Sequence, residues 1–123
     1  MAKFFLLSGA LLSALGVMIG AFGAHALKET LTQYQRLETF ETGVRYHFYH
    51  ALALCLLGIL LGQYSHKFLH YAGYCFLAGI VFFSGALYVL SLTNIKILGA
   101  IAPIGGTAFI AGWLLLAWAV FKQ

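Results

Sequence analysis

Hydrophobic and polar positions divide the chain into four long uncharged runs. Lys3 and Lys28 enclose Phe4 to Leu27, Arg45 and Lys67 enclose Tyr46 to His66, Lys67 and Lys96 enclose Phe68 to Ile95, and Lys96 and Lys122 enclose Ile97 to Phe121, runs of 24, 21, 28 and 25 residues. A charge at the centre of a bilayer is costly, so charges usually mark the ends of spans. A hydrocarbon core about 30 Å thick needs roughly 20 helical residues at about 1.5 Å rise each. The pattern therefore predicts an all-α membrane protein, a bundle of four transmembrane helices over residues 4–27, 46–65, 68–93 and 97–121. Both termini and the turn at His66 and Lys67 then share one face of the membrane, here called side one. Residues 28–45 and the turn before Lys96 lie on side two.

Residues 28–45 are the one extended polar stretch. Leu31, Tyr34, Leu37, Phe40 and Val44 recur every three or four positions, an amphipathic stripe, while the charges of Lys28, Glu29, Arg36, Glu38, Glu41 and Arg45 balance. The stripe predicts a helix lying in the interface and running on into the second span. Thr32 and Gln35 are spaced for a capping box, and Glu41 and Arg45 for an i, i+4 pair. Such a segment serves either as a docking or lipid-sensing surface or as a solvated connector that roofs the bundle; the connector is the simpler expectation.

Composition removes whole classes of function. Charged residues make up 8% of the chain and hydrophobic ones 63%, against about 25% charged in a typical soluble domain. This excludes a soluble enzyme, intrinsic disorder and a nucleic-acid module. Lys3, Lys67 and Lys122 on side one against Lys28, Arg36, Arg45 and Lys96 on side two leave the orientation open by the positive-inside rule. Lys3 followed by an apolar run and by Ala24, His25 and Ala26 also resembles a cleaved signal. The 19 uncharged residues from Phe4 to Phe22 exceed the roughly 7 to 15 of a signal core, so a retained helix is expected.

Glycine is frequent inside the spans, with 14 in the chain. Lipid gives helices no hydrophobic reason to associate, so small residues that let backbones approach are one means of holding a bundle together. Gly16 with Gly20, Gly58 with Gly62, and Ala108 with Gly112 have this spacing. They are expected to pack helices within the chain, with homo-oligomerisation as the alternative. Pro103, Gly105 and Gly106 predict a kink in the fourth span, either a simple bend or an opening that exposes carbonyls to a substrate.

Histidine is the residue type here suited to metal, haem or proton chemistry. His25 ends the first span, His47 and His50 begin the second, and His66 and His70 flank the opposite turn. If the first two spans pack antiparallel, His25 and His50 lie at similar depth. They would form a polar pocket with Tyr46 and His47, with Arg45 as electrostatic neighbour. A haem or metal site and a protonatable pair are the alternatives to plain hydrogen bonding. With no carboxylate or thiol beside the histidines, the expectation is a hydrogen-bonded pocket with no metal, no cofactor and no catalytic set. Cys55 and Cys75, in the middle of spans, are expected to pack as small apolar groups.

Four separated motifs, GAFGAHAL at Gly20 to Leu27, FETGVRYHFYHALAL at Phe40 to Leu54, FSGALYVL at Phe83 to Leu90 and LGAIAPIGGTAFIAGW at Leu98 to Trp113, carry a resemblance. They are similar to the YgdD/YwdK family of small four-span membrane proteins. The resemblance implies a multi-pass protein, in bacteria of the plasma membrane, without an established biochemical activity. The motif positions that match are Gly20, Gly23, His25, Phe40, Gly43, Tyr46, His50, Ser84, Gly85, Pro103, Gly105 and Gly106.

The expected function is thus a non-enzymatic accessory or scaffold in a membrane assembly, with the lipid bilayer and other membrane proteins or further copies of the chain as partners. A small-solute, ion or lipid transporter acting as an oligomer, and a haem or quinone redox protein, are the alternatives.

Overall fold

The computed structural model describes all residues from Met1 to Gln123, and no strand is present. Helix α1 spans Ala2–Ala24 and the short α2 Lys28–Gln33. Helix α3 spans Leu37–Gln63 and α4 Lys67–Gly79; α4 continues through a π-helical turn at Ile80–Gly85 into α5, Ala86–Thr93. Helix α6 spans Leu98–Phe121. Four stretches of 23, 27, 27 and 24 residues are long and apolar enough to cross a membrane: α1, α3, the continuous α4 to α5, and α6. Large apolar side chains line the outside, among them Leu11, Val81 and Leu114, as a bundle solvated by lipid requires.

The interfacial segment differs from the single helix expected. Gln35 adopts a left-handed conformation, φ 55°, and breaks the stretch after α2. Residues from Leu37 onward already belong to α3, so Phe40, Val44 and Arg45 lie on the second span and not on a separate roof. The capping box does not form either: Leu27 is the N-cap residue of α2, and Thr32 Oγ1 donates back to the Lys28 carbonyl at 2.7 Å.

Two antiparallel seams build the bundle, α1 against α3 and α4 against α6, and α3 also packs along the whole third span. Glycines set the first seam. A Cβ on Gly9 would stand 2.7 Å from the Ala51 carbonyl oxygen, and one on Gly58 would stand 2.5 Å from Leu6 Cγ and 2.9 Å from the Ala2 carbonyl oxygen. In the second seam a Cβ on Gly112 would stand 2.6 Å from the Phe76 ring. Gly62 differs from its expected role: nothing lies within 4 Å of where its Cβ would be, because it sits past the last residue of α1 that reaches α3. An apolar core of Phe5, Leu54, Leu57, Leu69, Phe76 and Leu116 fills the half towards side one.

Pro103 does not break its helix. Helix α6 runs unbroken through it, and Thr107 Oγ1 donates to the Pro103 carbonyl at 2.9 Å. Departure from α-helical geometry occurs in the facing span instead, at the π turn, where Gly105 admits the backbone of Phe82 and Phe83. Gly106 makes only ordinary contact with the Phe83 ring, 3.7 Å from its nearest atom.

Candidate functional site

Inside hydrocarbon every hydrogen-bonding side chain must find a partner within the protein, and α3 carries two that are buried, His47 and His50. His50 is the central residue of the 27 in α3. Three residues apart, the two positions are neighbours on one side of the helix, yet their rings turn to different spans, His47 to α1 and α5 and His50 to α6.

His47 bridges three spans. Its Nε2 lies 2.8 Å from the Leu12 carbonyl oxygen on α1 and its Nδ1 lies 2.7 Å from the Tyr88 hydroxyl on α5. A carbonyl only accepts, so Nε2 carries the proton and Nδ1 accepts from Tyr88. Gly16 makes the approach possible, since its Cβ would stand 3.4 Å from the imidazole. Beside this bridge Ser84, in the π turn, donates to the Gly43 carbonyl at 2.7 Å, tying the third span to α3.

His50 takes the opposite tautomer. Trp113 Nε1 on α6 donates to His50 Nε2 at 2.9 Å, so Nδ1 holds the proton and donates to the Tyr46 carbonyl one turn back, at 2.7 Å. The ring also lies flat on Phe109, with centroids 3.5 Å apart and planes 10° from parallel. Both nitrogens of both histidines are thus engaged, and neither ring retains a free lone pair for a metal or haem iron.

A groove of about 670 Å³ opens between α3 and α6 above this stack, lined by Tyr46, Tyr49, His50, Pro103, Thr107 and Trp113 among others. Tyr46 contributes its backbone carbonyl and its ring, which packs 5.1 Å from Phe83; its hydroxyl has no partner in the chain. Arg45 lies apart from the histidines on the outer face of α3, where it donates to Thr42 Oγ1 at 3.1 Å.

His25 does not join them. Gly23 lies against Phe40 and Gly16 against His47, a register that sets His25 level with the first turn of α3. His50 is about 12 residues further along, roughly 18 Å at helical rise. Similar depth for His25 and His50 would require the second span to begin near Arg45, but α3 begins two turns earlier, at Leu37. His25 is the exposed C-cap residue of α1. Of the partners that the histidines use, Tyr46 is one of the expected pocket residues, while Leu12, Tyr88 and Trp113 lie outside that set. Tyr88 and Trp113 were legible in principle as amphipathic rings within apolar runs. Leu12 contributes only a carbonyl, which leaves no trace in a sequence.

Comparison with known proteins agrees with this architecture. Residues 19–106 match the family model described as "Protein of unknown function (DUF423)". The chain belongs to this family. It is 47% identical over 120 residues to a UPF0382 membrane protein of Staphylococcus haemolyticus, covering 98% of this chain and 97% of that one. It is 46% identical over 121 residues to the UPF0382 membrane protein YwdK of Bacillus subtilis, covering 98% of each. No solved structure matches. The family and its four-span membrane architecture thus agree with the resemblance carried by the sequence motifs.

Proposed function

We propose that this DUF423 member is a non-enzymatic accessory or scaffold within a larger assembly of the bacterial plasma membrane. The observation that supports this reading is that the two buried histidines spend their hydrogen bonds on partners of the same chain. His47, His50, Tyr88, Trp113 and Ser84 all bond to groups of the same chain, which leaves the two imidazoles no free position from which to shuttle protons or hold a cofactor. The network spends its polar groups on fixing four helices in one arrangement. Helix α1, meanwhile, packs mainly on α3 and leaves Leu7, Leu11, Val17, Met18 and Phe22 outside. Packing against another membrane helix is a use for such a face. The relatives compared come from Staphylococcus and Bacillus, which favours the plasma membrane.

The test is purification of the tagged full chain in two gentle detergents with quantification of co-purifying membrane proteins. The reading expects a stoichiometric partner that is released by Leu11→Trp or Met18→Trp. Recovery of this chain alone in both detergents, or a partner indifferent to both substitutions, overturns it.

A further inference from the structure

Along the outside of the α1–α3 seam runs a furrow that the pairing of the two helices leaves unfilled. Its outer part, about 230 Å³, lies between Gly20, Gly23 and Ala24 of α1 and Phe40 and Val44 of α3. Its inner part, about 300 Å³, continues past Gly20 and Val44 to Gly16 and Phe48. The two parts meet at Arg45, which lines both. From Ala24 to Gly16 the furrow follows about 12 Å of helix.

Arg45 is placed unusually for a cation. The register that sets Gly23 against Phe40 and Gly16 against His47 puts Arg45 level with Met18, about six residues, roughly 9 Å, inside the end of α1. Its one side-chain hydrogen bond goes to the Thr42 hydroxyl, and it forms no ion pair. Side chains on a helix lean towards its N-terminus, which for α3 is side two, so the guanidinium reaches from the apolar furrow towards the headgroup layer. One turn further out on the same helix Glu41 lines the outer part of the furrow, also without an ion-pair partner. From the inner part of the furrow outward the order is therefore an apolar trough at Gly16 and Phe48, then the cation of Arg45, then the anion of Glu41 beside Gly23 and Phe40.

That order is the complement of one class of membrane lipid. We propose that the furrow holds a single phospholipid with a primary ammonium headgroup: an acyl chain in the trough, the phosphate on Arg45 and the ammonium against Glu41. An anionic lipid such as phosphatidylglycerol would meet Arg45 equally well but offers Glu41 only neutral hydroxyl donors, without the charge of an ammonium. A quaternary headgroup would satisfy the charge but has no N–H to donate.

The test uses the full chain reconstituted in nanodiscs of equal parts phosphatidylethanolamine, phosphatidylglycerol and phosphatidylcholine, followed by native mass spectrometry after gentle release. One phosphatidylethanolamine per chain is expected. Arg45→Gln should lower its retention roughly tenfold, the size of one charge-assisted hydrogen bond. Glu41→Gln should keep a bound lipid but abolish the preference for phosphatidylethanolamine over phosphatidylglycerol. Glu41 is exposed and makes no side-chain hydrogen bond, so this variant decides the matter if Arg45→Gln fails to fold. Retained lipids in the bilayer's own proportions, a wild-type preference for phosphatidylglycerol, or an unchanged preference in Glu41→Gln overturns the proposal.

Discussion

Trp113 Nε1 donates to His50 Nε2 across 2.9 Å, and this bond is the polar link between α3 and α6. It joins a residue at the centre of one span to a ring that is 41% exposed to lipid. The indole thus acts as a latch on the outside of the bundle, closing over an imidazole already held flat on Phe109. A buried acceptor in hydrocarbon has no water to fall back on, so the latch costs more to open than an equivalent bond at an aqueous surface.

Trp113→Phe keeps the ring but leaves His50 Nε2 without a donor. It should destabilise the protein by about 1–3 kcal/mol. In a double-mutant cycle with His50→Phe the coupling should be about 0.5–2 kcal/mol. Reversible unfolding in mixed micelles measures both, and a coupling indistinguishable from zero would mean that the bond contributes no stability.

A parallel cycle tests the bridge to the other side of α3. Tyr88→Phe removes the donor to His47 Nδ1 and should cost about 1–3 kcal/mol. Gly16→Val should also be harmful, because the branched side chain must occupy space that the His47 imidazole needs to reach the Leu12 carbonyl. The two effects should be less than additive, since either change disturbs the same ring.

The glycines separate into two groups that sequence spacing treats alike. Gly58→Ala and Gly105→Ala press a methyl group onto neighbouring backbone and should each destabilise by about 1–3 kcal/mol. Gly62→Ala meets nothing and gains helix propensity, so it should be neutral or stabilising by up to about 1 kcal/mol. Thermal melts of the three variants in one detergent decide this, and equal losses at Gly58 and Gly62 would contradict the observed seam.

Four crossings place Met1 and Gln123 on the same side of the membrane. Reporter tags at the two ends should therefore give the same compartment, while a tag inserted at Asn94, in the turn between α5 and α6, should give the other.

Much of this protein is decided by sequence because the bilayer leaves few choices. Backbone groups in hydrocarbon must bond within their own segment, so four uncharged runs of sufficient length become four helices whatever their neighbours. Lys3, Lys28, Lys67, Lys96 and Lys122 lie within about a turn of the ends of α1, α6 and the third span and of the end of α3, whereas Arg45 lies two turns inside the start of α3. Gly16 and Gly58 as packing residues were legible for the same reason: an apolar helix has little other use for a missing side chain. What tertiary structure alone decided is register and direction. The sliding position of α1 along α3 separates His25 from His50, and it is set by Gly23 meeting Phe40 and Gly9 meeting Ala51; the seven-residue spacing of Gly9, Gly16 and Gly23 marks a packing face but not which residues of α3 it meets. Whether His47 turns to Leu12 and His50 to Trp113 depends on which spans flank α3, a choice that hydrophobicity alone does not make when all four helices are apolar. The π turn at Ile80–Gly85 belongs here as well: no residue of the third span marks it in the sequence, and it lies where Gly105 of α6 admits the backbone of Phe82 and Phe83.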